Sequence, residues 1–123
     1  MRLSHKILIA DDDVEMLDTL SELLEAEGYK VIRAENGLEA VESARKELPA
    51  LILLDIHMPQ LNGLKACKAI KADQVTKAIP VVMLTVEGSI AEIQEAMGYG
   101  AKTYITKPSS REEILKVVRS IFS

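Results

Sequence analysis

Five short apolar runs, each followed by a longer stretch with helical spacing, leave few folds open to this chain. The runs lie near residues 6–10, 30–34, 51–54, 81–84 and 103–105. They are β-branched-rich or continuously apolar, the pattern of strands covered on both faces. In the first intervening stretch Val14, Leu17, Leu20, Leu23 and Leu24 form one stripe, with Glu15, Asp18, Glu22 and Glu25 opposite. Leu38, Val41, Ala44 and Leu48 predict the second helix, Ile90, Ile93, Ala96 and Met97 the fourth, and Ile114, Leu115, Val117, Val118 and Ile121 the fifth. The third, 64–70, has the weakest periodicity. Asn36 with Glu39, Ser89 with Glu92 and Ser110 with Glu113 each have capping-box spacing. Gly28 and Gly100 stand where a left-handed residue would end a helix.

Five β–α units in series predict an α/β domain with a parallel sheet between two helical layers. At 123 residues the natural arrangement is a three-layer, flavodoxin-like, doubly wound (βα)5 sheet of strand order 2-1-3-4-5. The length suits one domain, 1–123, with no effector domain in the chain. Apolar runs such as 7–10 and 50–54 are far too short to cross a membrane, and no cleavable signal opens the sequence. Cys67 is the only cysteine, so no internal disulfide forms, and a cytoplasmic setting is expected. The net charge of −4 repels phosphate backbones, and with no Trp the chain lacks base-stacking platforms, so direct nucleic-acid binding is not expected.

In such a sheet, ligands bind beyond the carboxyl ends of the strands, where strand order reverses. Asp11, Asp12 and Asp13 follow the first run, Asp55 the third, Thr85 the fourth and Lys107 the fifth. In the expected order these strands are neighbours, so the residues share one rim. At about 5 Å and an effective dielectric near 20, each like-charged carboxylate pair costs roughly 3 kcal/mol. The carboxylates must therefore protonate or take up a cation. Oxygen-only donors suit Mg²⁺ rather than zinc. A divalent ion, the Thr85 hydroxyl and the Lys107 ammonium would cradle phosphoryl oxygens. A carboxylate left free to attack would form an aspartyl phosphate.

The stretches Ile7-Leu8-Ile9-Ala10-Asp11-Asp12-Asp13, Leu53-Leu54-Asp55-Ile56-His57-Met58-Pro59, Leu84-Thr85 and Tyr104-Ile105-Thr106-Lys107-Pro108, with the Asn62-Gly63 turn, resemble the CheY-like receiver domain of two-component response regulators. The resemblance spans residues 6–122. It implies that Asp55 is the phosphoacceptor and that Asp11, Asp12, Asp55 and the backbone carbonyl of His57 hold Mg²⁺, for which Mn²⁺ can substitute. It implies that Thr85 and Lys107 bind phosphoryl oxygens. Thr85 and Tyr104 would then switch the surface of the fourth helix, fifth strand and fifth helix for a downstream effector. The implied phosphodonor is a sensor histidine kinase or histidine phosphotransfer protein. The chain would be a monomer when unphosphorylated, with dimerisation open to the phosphorylated form. It would catalyse only its own phosphorylation and dephosphorylation. Lys107–Pro108 is the implied cis peptide, and His57, Val86 and Glu87 occupy positions that tune phosphate lifetime. Val86 departs from the small residue usual there, which predicts narrowed access to Asp55.

Each residue also has a plainer reading. Asp11 to Asp13 would cap the first helix, Asp55 would sit in a strand-end loop, and Lys107 would be a solvated lysine. Tyr104 would be a half-buried strand aromatic. His57 and His5 would lie at the surface, Cys67 in or beside the third helix, and Met16, Met83 and Met97 in or near the core. Two functional alternatives stay open: a pseudo-receiver that binds partners without phosphorylation, and a haloacid-dehalogenase-like phosphatase with Asp11 as nucleophile.

Overall fold

The computed structural model describes residues 5–86 and 89–123. Strands β1 (Lys6–Ala10), β2 (Lys30–Ala34), β3 (Leu51–Asp55), β4 (Val81–Val86) and β5 (Thr103–Lys107) alternate with helices α1 (Val14–Ala26), α2 (Gly37–Glu47), α3 (Gly63–Ala72), α4 (Ile90–Gly98) and α5 (Arg111–Phe122). The strands pair in parallel in the order β2-β1-β3-β4-β5. The expected α/β architecture is therefore the observed one. β3, β4 and β5 run one or two residues further than the apolar runs, because Asp55, Thr85 and Lys107 themselves join the ladder.

The period of two along each strand divides the core into two layers. Ile7, Ile9, Leu51, Leu53, Val82 and Leu84 face Leu17, Leu20 and Leu24 of α1 and Ile114, Leu115 and Val118 of α5. Leu8, Ala10, Ile52, Leu54 and Met83 face the other way, against Ala40, Ala44, Ala66, Cys67, Ile70 and Ala96 of α2, α3 and α4. On its helix side the second layer is built mostly from small side chains, Ala40, Ala44, Ala66, Cys67 and Ala96. β1, β3 and β4 are buried on both faces, which explains why their apolar runs are continuous rather than alternating.

Helix ends follow local chemistry. Asp13, Asn36, Asn62 and Ser110 cap α1, α2, α3 and α5 from extended backbone, each accepting from an amide of the first turn. Gly28 (φ +95°) and Gly100 (φ +112°) supply the left-handed residue that closes α1 and α4. Both ends carry the paired bonds of a Schellman motif, Gly28 N–H to Glu25 O with Tyr29 N–H to Leu24 O, and Gly100 N–H to Met97 O with Ala101 N–H to Ala96 O.

One capping-box expectation holds, and several other expectations are corrected. The capping box forms in full at Ser110–Glu113. At α2 it is half made, since Glu39 accepts from the Glu35 amide and not from Asn36. At α4 it is not made: Ser89 has no side-chain cap bond. Val14, Leu38, Ile90 and Met97 lie on predicted stripes but are exposed, because no neighbouring element covers those ends of their helices. Leu48 leaves the helix in left-handed backbone (φ 47°) and is exposed as well. His5 is not simply solvated, for its ring stacks on Phe122 at 4.1 Å between centroids. Gly63 begins α3, where an added Cβ would fall 1.9 Å from the Asp55 carbonyl oxygen. That close approach locks the start of α3 against the end of β3.

Candidate functional site

The rim residues gather because β1, β3 and β5 end at the same edge of the sheet. Asp11 follows β1 and is fully buried; its amide donates to Ala34 O (3.1 Å), extending the pairing with β2. Its Oδ1 accepts from the Asp13 amide (3.0 Å) and its Oδ2 from Lys107 Nζ (2.7 Å). Asp55 closes β3, is also buried, and accepts from the same ammonium at 3.2 Å. Lys107 therefore bridges two carboxylates that lie 44 residues apart in the chain. Asp12 is exposed, yet a carboxylate oxygen from each of Asp11, Asp12 and Asp55 lies within 4.8 Å of the others.

The electrostatics follow. Burial, and then repulsion from Asp11, push the Asp55 carboxyl up to about 6, although Lys107 pulls the other way. Burial opposes the Lys107 ammonium, but its hydrogen bond to Asp11 and the attraction of Asp55 outweigh that and hold its pKa above the ordinary lysine value. When all are ionised, three carboxylates against one ammonium leave two negative charges uncompensated. The metal-ligating side chains that converge among the described residues are all carboxylates. The donor set and the charge deficit both fit a hard divalent cation.

Other predicted residues are placed differently. Thr85 is buried in β4 opposite Thr106, and its hydroxyl donates to Val86 O (3.3 Å) rather than into the cluster. Asp13 turns away to cap α1 through the amides of Glu15 and Met16. The His57 side chain is 68% exposed, with Nε2 3.2 Å from Glu92 Oε1 on α4. Sequence reasoning missed that partnership, since Glu92 stands at the third helical position and its spacing from Ser89 reads as a local cap.

The profile of the response regulator receiver domain matches residues 7–119. The chain belongs to the response regulator receiver family. It is 37% identical over 118 residues to Protein PilH of Pseudomonas aeruginosa, covering 96% of this chain and 98% of PilH. Chemotaxis protein CheY4 of Vibrio cholerae superposes with a TM-score of 0.90 at 32% identity, over 97% of this chain and 99% of that one. The receiver domain of the sensor histidine kinase PA1611 from P. aeruginosa, solved with a magnesium ion coordinated in its active site cleft, gives a TM-score of 0.89 at 27% identity, over 98% and 100%. As a receiver domain the chain is a signalling switch rather than a classical enzyme.

The remaining positions of this receiver domain lie on or just after β4 and β5. Tyr104 on the edge strand β5 is 45% exposed. It points to the opposite face from the buried Ile105. Val86 is 53% exposed at the end of β4, paired in register with Lys107. Glu87 lies outside the described residues. The Lys107–Pro108 peptide is cis, as the resemblance implied. Among the described residues no helix is long and apolar enough to cross a membrane.

Proposed function

We propose that this receiver accepts a phosphoryl group on Asp55 from a phosphohistidine of a sensor histidine kinase or phosphotransfer protein. The observation that carries the reading is Lys107 Nζ held 2.7 Å from Asp11 and 3.2 Å from Asp55 within a three-carboxylate cluster. Asp11, Asp12, Asp55 and the His57 carbonyl would hold Mg²⁺, or Mn²⁺ in its place. When bound, the ion supplies charge compensation for the carboxylates and for the oxygens of the transferring group.

An Asp55 oxygen attacks phosphorus as the phosphorus–nitrogen bond to the donor imidazole breaks, and the imidazole leaves with the bonding electron pair and takes up a proton. Lys107 is already charged and positioned, so it stabilises the phosphoryl oxygens without reorganising. Thr85 gives up its weak bond to Val86 O in exchange for a phosphoryl oxygen, and Tyr104 turns inward from its exposed position. Both movements alter the α4–β5–α5 surface offered to a downstream effector, which is a population shift toward the arrangement the phosphoryl group binds better. Residues 1–123 act as one receiver unit in the cytoplasm, monomeric until phosphorylated.

The dehalogenase-like alternative needs Asp11 as a free nucleophile. Asp11 is fully buried, with both oxygens engaged by Lys107 and the Asp13 amide. Intact mass after incubation with acetyl phosphate and Mg²⁺ tests the proposal. The parent is expected to gain one phosphoryl group, and neither the Asp55→Ala variant nor an EDTA-treated sample should. A phosphate carried on Asp11, or no gain with either acetyl phosphate or a phosphorylated histidine donor, overturns it. The second outcome would leave a pseudo-receiver.

A further inference from the structure

Among the described residues, α4 begins unlike the other four helices. Asp13, Asn36, Asn62 and Ser110 all have extended backbone with ψ between 107° and 169°, and each accepts a first-turn amide on its side chain. Ser89 has ψ 44° and no side-chain cap bond, although Glu92 stands where a capping box needs it. That carboxylate is engaged elsewhere, 3.2 Å from His57 Nε2. A carboxylate only accepts, so His57 carries a proton on Nε2 in this pairing. His57 lies two residues beyond Asp55, on the loop that leads from β3 to α3. α4 is also weakly held: Ala96 is its only buried residue, and Ile90 is 67% exposed.

We infer that Glu92 is a two-position latch, bonded either to His57, leaving α4 uncapped, or to the Ser89 amide, completing the capping box. In the first position the carboxylate ties the first turn of α4 to the loop carrying Asp55. In the second, Ser89 moves to the extended backbone seen at the other four caps, its hydroxyl accepts the Glu92 amide, and Glu92 accepts the Ser89 amide. Each position satisfies the carboxylate, which is what makes the element bistable rather than merely loose. Any displacement of His57 favours the second position and orders the start of α4. The inference goes beyond the phosphorylation reading, and its test uses no phosphoryl donor, so either can fail without the other.

The test is amide hydrogen exchange at residues 92 and 93 of the unphosphorylated full chain, at one fixed pH. Substituting the two ends of one contact should act in opposite directions. His57→Ala frees Glu92 to close the box and should slow exchange about threefold; Glu92→Ala removes both positions and should speed it by a similar factor. In the Glu92→Ala background, adding His57→Ala should change nothing. If His57→Ala speeds exchange as Glu92→Ala does, the contact is a simple tether and the latch is wrong. Unchanged exchange in His57→Ala, or an effect of it without Glu92, also overturns the inference. Both side chains lie at the surface, and a thermal melt of each variant verifies that the fold is kept.

Discussion

Because Asp55 is buried at the end of β3 and lies beside Asp11, its carboxyl keeps a proton up to about pH 6 when no cation is bound, well above its ordinary 3.8. The sign of the consequence is set by linkage. Between those two values the folded chain binds more protons at this site than the unfolded chain. The contribution of Asp55 to stability is therefore present at low pH and is lost as pH rises through about 4 to 6. Asn at position 55 removes the charge and keeps an oxygen to accept from Lys107. In EDTA at neutral pH, Asp55→Asn should thus be more stable than the parent by about 1–3 kcal/mol. Urea denaturation across the acid range checks this. The difference between parent and variant should grow with pH through that window and then level off, and a flat difference would refute the assignment of the strain to Asp55.

At the scale of elements, four helix starts carry a side-chain cap bond and Ser89 at the fifth makes none among the described residues, which separates two substitutions that look alike in sequence. Ser110→Ala breaks a complete capping box, with Ser110 Oγ accepting the Glu113 amide at 3.1 Å and Glu113 Oε1 accepting the Ser110 amide at 3.2 Å. It should cost about 1 kcal/mol. Ser89→Ala removes no cap bond and should stay within a few tenths of a kcal/mol. Equal losses in chemical denaturation would mean that Ser89 is capped after all. The contrast also marks where sequence is legible. The central strands are plain because apolar runs such as Leu51–Leu54 are short and are bounded by turn residues and by stretches of helical spacing. The third helix is faint because three of its buried residues, Gly63, Ala66 and Cys67, are small and mark its apolar face weakly. Helical spacing identifies the face that holds Val14, Leu38 and Ile90, but whether a neighbour covers that face depends on elements packed from elsewhere. Ser89-x-x-Glu92 reads as a cap since the competing partner, His57, is 35 residues away.

Over the whole molecule, the acidic cluster draws on the ends of β1 and β3, which are adjacent at the middle of the β2-β1-β3-β4-β5 sheet and serve both core layers. The rim was readable from sequence for this reason: in a parallel doubly wound sheet, the residue after each apolar run must land on one edge, whatever its distance in the chain. The direction of each side chain along that edge was not, so Asp13 caps α1 and Thr85 bonds to Val86 O while Asp11 and Asp55 share one ammonium. A cation bound there is linked to the central strands and hence to global unfolding, not to fraying of a loop. Mg²⁺ at about 100 times its dissociation constant should raise stability by about 2.7 kcal/mol. It should do so by shifting the urea midpoint at constant slope, because the surface exposed on unfolding is unchanged. Asp12 is the member of the cluster that is exposed and outside the Lys107 bridge. Asp12→Ala should therefore abolish the Mg²⁺-dependent shift while leaving metal-free stability within about 0.5 kcal/mol of the parent. A shift that survives the substitution would place the cation elsewhere, and a changed slope would mean that the ion orders only part of the chain.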